Sequence, residues 1–540
     1  MAHMHRNQFL AIVGVITVIT FGLISHLLFL RQDYFMDEGI ILDNVLHFLT
    51  ERTIEPDNGL YPTFFSYVST PLIAIYVVIY SAISGLSPEE ATAYLILTNK
   101  LSLVILPRIL SLIFLILTTI TVTIFLMHRL GKFPGVITGL LILSSPAFLQ
   151  YGSFALPDSG VLLFSTVSFI FCIKASENRE KIEVFTRYVM LSAFFCGLAT
   201  ATKYNAAATV FPLGALLIAR VFDRNNSGHR FFILPFLAAF VCLIAFVVAT
   251  PSWIVATQTM VNGINYQFVL AKRGHPAMAG VPILGNLVQM LTNSPVLFIG
   301  AAFSILNYRN IPKNYYLLCI TLIVGTLLLS TRTSNQAVRY LFPLYPAVFV
   351  IFACGLTWLV AKFGQPTRIL AYVICISVST YTFIKSSDYL RDSNVDLARE
   401  WIYRNLPENT KLALDWAYVP QLYSENTLRN NWLLVKYPRV ARLVRKAHKP
   451  YDLETINRHQ ENWIYQTDVD YIVTSSKAYN RYFNRGKFTN VVPAESSELG
   501  VNFRERKFFY ESLFSNEIFG STVEFSSGSG PSILIFKRAK

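Results

Sequence analysis

The chain has 540 residues, of which 53% are hydrophobic and 14% charged, and its net charge is +14. The charged share is about half that of an average soluble domain, and apolar runs of about 20 residues, long enough to cross a hydrocarbon core, recur through the first 385 positions. A soluble core built of shorter, interrupted segments is therefore excluded, and the positive charge does not require nucleic acid, because its placement explains much of it.

The apolar runs fall at 9–30, 64–83, 92–107, 109–127, 133–150, 160–173, 188–201, 206–219, 231–250, 287–306, 315–330, 341–361 and 369–384. No small-residue cleavage site follows the first, so it reads as an uncleaved span. All six cysteines lie inside apolar runs and read as small buried hydrophobes, not as a disulfide framework. From residue 128 to 368 the polar connections alternate between two kinds. "HRLGK", "KASENREKIEVFTR", "ARVFDRNNSGHR", "NYRNIPKN" and "AKFGQPTR" hold thirteen Lys and Arg. "LPDSG", "TKYN", "AKRGHP" and "TRTSNQAVR" are chemically mixed. The positive-inside rule makes the first kind cytoplasmic and the second outward-facing. Parity then puts "DYFMDEG", after the first span, outside. Residues 64–107 either lie along the outer surface, form a re-entrant hairpin, or cross twice; the Tyr, Ser, Thr and Pro of "YPTFFSYVSTPLIAIY" suit an interfacial helix.

The expected architecture is a polytopic α-helical membrane protein with 11–13 transmembrane helices over residues 1–385, in which 31–107 forms a first outer loop with juxtamembrane helices. Residues 386–540 read as an extracytoplasmic α/β domain. In it "DLAREWIYRNLPENTKLAL" predicts a helix, a Pro-marked turn and a strand, and "DVDYIVTSS" and "PSILIF" predict strands.

The outward-facing polar residues are Asp37, Glu38, Arg108, Asp158, Lys203, Tyr204, Lys272, Arg273, His275, Arg332 and Arg339. Asp37 and Glu38 either cap a surface helix or supply a general base with a pKa raised by desolvation and by each other. Asp158 either caps the helix after Pro157 or belongs to the same site. Arg108, Lys203, Lys272, Arg273 and Arg339 are candidates to bind an anion, and at an outer membrane face the anion expected is a lipid phosphate or diphosphate. There is no Walker loop, Rossmann glycine pattern or zinc spacing. No cofactor is certain; an aspartate site of this kind is compatible with a divalent cation, Mg or Mn.

In chain order, "MDEG", "YPTFFSYVSTPL", "RILS", "ALPDS", "TKYN", "AKRGHP" and "RYLFPLYP" resemble the GT-C glycosyltransferases of the protein mannosyltransferase and aminoarabinose transferase type. The resemblance covers about 380 residues, the whole membrane part. It implies a GT-C fold and transfer of a sugar from a polyprenyl-phosphate donor to an acceptor outside the cytoplasm. The family's acidic pair maps onto Asp37 and Glu38, its arginine at a span start onto Arg108, its second-loop aspartate onto Asp158 and its lysine onto Lys203. One departure stands out: aminoarabinose transferases carry Lys before the surface-helix proline, whereas this chain has Tyr61 before Pro62, so their particular donor and acceptor do not carry over.

The expected activity is therefore inverting transfer to a lipid, glycan or protein hydroxyl, with Asp37 as base, Glu38 or Asp158 orienting the substrates, and the cations on the donor phosphate. Tyr61, Tyr204, His275 and Arg332 are further site candidates. The expected partners are donor, acceptor and membrane lipid, in a bacterial inner membrane. The rival reading is a transporter or flippase of a lipid-linked or anionic solute, which would place charges near the bilayer midplane.

Overall fold

A computed structural model describes every residue except 1, 36, 223–229, 274–281, 307–311, 331–336, 416–417, 457–460, 484–497, 516 and 540. The chain is an integral membrane protein. Among the described residues nine helices are long and apolar enough to span, or eleven if each of two bent pairs counts as one span.

The first span, α1 (Ala2–Phe29), leads through a loop to α2 (Glu38–Glu51). Next come α3 (Phe64–Ser84), α4 (Pro88–Thr98) and α5 (Lys100–Leu130). The apolar runs expected at 92–107 and 109–127 are thus divided differently: Asn99 starts a new helix, its side chain accepting from the Ser102 N–H, and α5 continues through Pro107 without ending. The helices α6 (Lys132–Ser144) and α7 (Pro146–Gly152) meet at a 56° bend where Pro146 cannot continue the first. The most enclosed span, α8 (Asp158–Glu177), has 78% of its apolar window buried, by α9 (Ile182–Thr202), α5 and α17 (Tyr345–Phe363). Between α9 and α17 run a 3₁₀ turn (Tyr204–Thr209), α10 (Val210–Val221), α11 (Arg230–Ala249), α12 (Ser252–Val255), α13 (Thr257–Arg273), α14 (Pro282–Asn293), α15 (Pro295–Leu306), α16 (Lys313–Ser330) and a second 3₁₀ turn (Val338–Leu344). The α14–α15 pair bends by 119° at Ser294–Pro295. The last span is α18 (Gln365–Ser387).

Two faces can be told apart by contacts. At one, Arg129 pairs with Glu177 at 2.5 Å, Tyr315 donates to the same carboxylate, and the guanidiniums of Arg220 and Arg368 lie over Phe185 and Phe133. This gathers the ends of the basic connections. Away from it, Asp158, Lys203, Asn205 and Arg339, the described parts of the mixed connections, gather with Asp37 of the first loop, whose Asp33 meets the C-terminal domain. There α3 has both of its ends: Thr63 Oγ1 is 2.7 Å from Ser252 Oγ, and the Gly85 carbonyl accepts from Arg439 of the C-terminal domain at 2.6 Å. Its Phe65, Ser69, Ile73 and Val77 are buried while Ile75, Val78, Ile79 and Ile83 are exposed. That two-sided pattern suits a helix half-sunk in the interface, while its length and composition also qualify α3 as a span.

The C-terminal domain holds a six-stranded sheet with the order β2-β3-β1-β4-β6-β5, formed by β1 (Lys411–Leu414), β2 (Tyr423–Ser424), β3 (Pro450–Thr455), β4 (Tyr471–Ser475), β5 (Phe519–Phe525) and β6 (Ile533–Arg538). β1 is parallel to β3 and β4; β6 is antiparallel to β4 and β5. The helix expected after residue 390 is Asn394–Asn405, and the three expected strands are β1, β4 and β6. The domain docks by Tyr423, Leu428, Val440 and Val444 against Ala93 and Leu97 of α4, and by Ser393, whose hydroxyl donates to Asp33 of the first loop.

Candidate active site

The site is built outward from Arg108, which lies two turns into α5 and is fully buried. Its Nε and Nη2 donate to the two oxygens of Glu38 at 2.8 and 2.6 Å; Nη1 donates to the carbonyls of Leu30 and Gln32, and Nη2 also to that of Asp33. All five guanidinium N–H groups are thereby engaged. Glu38, equally buried, accepts in addition from the N–H groups of Phe35 and Ala155. These two residues correct the expectation for them. Arg108 has no donor left for a phosphate, and the carboxylate of Glu38 accepts four hydrogen bonds out of reach of solvent. Their task is to hold the chain from Leu30 to Glu38 and to tie it to the loop before α8. Ser111 tightens the same loop by donating to the Leu156 carbonyl at 3.1 Å.

Asp37, one residue from this bracket, behaves differently. It precedes α2 but makes no capping bond. Its carboxylate, 29% exposed, meets Nη2 of Arg339 at 2.6 Å. Asp158 does not cap either: it pairs with Lys203 Nζ at 2.8 Å, and its Oδ2 has no partner. Both helix-cap alternatives therefore give way to ion pairs. Tyr340 joins the two pairs, its ring lying 5.3 Å from Lys203 Nζ and 5.6 Å from the Arg339 guanidinium carbon. Asn205 donates to the Tyr340 carbonyl at 3.0 Å and so fixes the "TKYN" turn to it. Tyr61 covers Lys203 from the other side at 5.4 Å. Burial, reinforced by Asp37, pushes the Tyr61 phenol well above its ordinary value, so it stays an O–H donor.

The sequence missed Tyr340, Tyr151 and Phe35, whose rings surround the Arg339 guanidinium at 5.6, 5.8 and 5.9 Å. Tyr340 and Phe35 stand within two positions of chosen residues, and that adjacency was the available signal; Tyr151 had none. Tyr204 packs edge-on against Trp253 at 6.3 Å. Lys272 and Arg273 end α13, whose last side chains lie outside the described residues, as do His275 and Arg332 altogether.

Among the described residues Arg339 Nε and Nη1 are buried and have no partner. An apolar groove of about 590 Å³ runs between α10 and α11, from Thr200 and Ala207 to Phe222, lined by Leu213, Leu217 and Phe246. The 12 residues of α10 along it make about 18 Å of helix. Asp37 and Asp158 are each neutralised by a cation of the chain, and among the described residues no three His, Cys, Asp or Glu side chains gather. This donor set does not fit a divalent ion.

Residues 73–266 match the family model described as dolichyl-phosphate-mannose-protein mannosyltransferase. No curated protein matches the chain. Among solved structures, ArnT from Cupriavidus metallidurans bound to undecaprenyl phosphate is similar over 97% of this chain and 97% of its own, with a TM-score of 0.53 and 11% identity. The apo state of ArnT gives 98% and 98%, 0.50 and 11%. The archaeal oligosaccharyltransferase AglB from Archaeoglobus fulgidus, in complex with an inhibitory peptide and a dolichol-phosphate, is similar over 94% of this chain and 79% of its own, with a TM-score of 0.39 and 12% identity.

Proposed function

We propose that this chain, a glycosyltransferase of the GT-C type by its fold and its family match, moves a sugar from a polyprenyl-phosphate donor to an acceptor hydroxyl at the face that carries the sheet domain. The observation that carries this reading is the pairing of Asp37 with Arg339 and of Asp158 with Lys203 around the Tyr340 ring, with an apolar groove that begins at Thr200 and Ala207, on either side of Lys203 in the chain. The family's donors and the lipid in the ArnT complex are polyprenyl phosphates, and the groove suits an isoprenoid tail whose phosphate reaches Lys203. Arg339, with two N–H sites unused, is the second cation on that phosphate. By the positive-inside rule this face is outside the cytoplasm, in a prokaryotic inner membrane.

The acceptor hydroxyl gives its proton to Asp37, the most exposed carboxylate of the site. Its oxygen attacks the anomeric carbon as the bond from that carbon to the phosphate oxygen breaks, and the electron pair leaves with the lipid phosphate. Lys203 and Arg339 stabilise the charge that builds there, the Tyr61 hydroxyl donates to the sugar or phosphate, and Asp158 orients Lys203 and the sugar. A single displacement inverts the anomeric centre.

Losing a general base costs about 10²–10⁴-fold in rate. Asp37→Asn is accordingly expected to insert and fold as wild type yet release polyprenyl phosphate at least about a hundredfold more slowly. The assay is turnover by purified protein in lipid with a panel of polyprenyl-phosphate sugars. Full turnover by the variant would remove Asp37 from the role, and saturable flux without turnover would favour a transporter.

A further inference from the structure

The sheet of the C-terminal domain reverses its strand order at β1: the chain passes to β3 on one side and returns to β4 on the other. In open α/β sheets, ligands bind at such a switch point, outside the carboxyl ends of the strands. Here the carboxyl ends of β1 and β4 lead to Tyr418 and Lys477, and both line a cavity of about 480 Å³. Its opposite wall belongs to the membrane part, with Gln32, Asp33 and Phe35 of the first loop. The volume lies inside the usual range for small-ligand sites, about 300–1,000 Å³.

The floor is furnished for hydrogen bonding. Gln32 is 6% exposed and, among the described residues, its Nε2 has no partner. Asp33 accepts from Ser393 at one oxygen, and its buried Oδ2 has no partner among them. Native proteins rarely leave such atoms idle. Aromatic rings form the sides. Tyr418 holds a left-handed φ of 55°, a strained state for a non-glycine residue, and its ring is 6.5 Å from that of Phe35. Phe35 stacks on Phe154 at 4.6 Å, and beyond Phe35, at 5.9 Å, lies the Arg339 guanidinium that holds Asp37. One aromatic layer separates the cavity from the base.

We propose that this cavity receives a neutral sugar headgroup, the acceptor side of the transfer; this rests on the glycosyltransferase reading. A sugar offers apolar C–H faces, which the rings cover, and hydroxyls that both donate and accept. An unpaired amide N–H beside an unpaired carboxylate oxygen answers both capacities. Two aspartates, Asp33 and Asp388, and two lysines, Lys385 and Lys477, line the cavity, so their formal charges balance and a neutral ligand fits it.

The test uses the full chain in lipid nanodiscs, with methyl glycosides of glucose, mannose, galactose and N-acetylglucosamine as probes and saturation-transfer NMR as the readout. At least one glycoside should bind, keep its signal in Asp37→Asn, and bind at least tenfold more weakly to Gln32→Leu. Lys477 is exposed at the mouth, so Lys477→Cys, modified with a bulky methanethiosulfonate, should lose the signal and regain it on reduction, a reversible block that a folding defect would not produce. No binding by any glycoside would overturn the proposal, and so would a signal indifferent to the Lys477 block. Failure of the base assignment shows elsewhere, as transfer that survives Asp37→Asn.

Discussion

Adjacent carboxylates in "DEG" carry different tasks because α2 begins between them. Glu38 turns inward onto Arg108, and Asp37 turns toward Arg339. Removing one partner of a buried ion pair costs about 3–5 kcal/mol. Glu38→Gln should therefore lower thermal stability and loosen the first loop, while Asp37→Asn should leave the melting temperature near wild type; equal stability losses in both would contradict this division. Asp33 adds a pH dependence. Burial raises its carboxyl from 3.8 to about 6, against the Ser393 hydrogen bond that lowers it. A folded value above the unfolded one means the native state binds the proton more tightly. The contribution to stability is then full below the unfolded value, and falls as the pH rises to about 6. Asp33→Asn should melt above wild type near neutral pH, and the gap should close at about pH 4, as thermal scans across that window would reveal.

At the scale of elements, the loop that delivers Tyr61 is clamped at both sides. Asn44 of α2 exchanges two hydrogen bonds with the backbone of Asn58. Next to it, Gly59 is crossed so closely by α13 that a Cβ on Gly263 would strike the backbone of Gly59, and one on Gly59 would strike that of Thr259 and Met260. Gly263→Ala changes no polar group, yet it should displace Tyr61 from Lys203. Misplacement of about 1 Å can cost about 10²-fold in rate, so turnover should fall while the protein stays folded. Unchanged turnover would show that Tyr61 is not held by this crossing.

For the whole molecule, the contacts at the two ends of α3 predict a helix lying along one face. Single cysteines at Glu55 and Ser84, which flank α3, should react with a membrane-impermeant thiol reagent from the same side. A cysteine at Lys132 should react only from the other. Five of the six native cysteines are buried and the sixth is half-buried, which keeps the background low. Opposite labelling of positions 55 and 84 would turn α3 into a crossing.

The membrane class, the alternation of connections and the strands of the C-terminal domain could be read from the sequence, because hydropathy, charge placement and period-2 patterns are local properties of the chain. The seven short motifs could be read too, and the structure joins five of them in one network: Glu38 to Arg108 and Ala155, Ser111 to Leu156, Asp158 to Lys203, Asn205 to Tyr340 and Arg339 to Asp37. What only tertiary structure decided was the role of each charge. Whether a buried guanidinium is free for a ligand depends on which carbonyls its N–H groups meet, and those of Arg108 come from residues more than 70 positions away. The cavity between Gln32, Asp33 and the carboxyl ends of β1 and β4 was out of reach for the same reason, since its walls are brought together by folding across some 440 residues of chain.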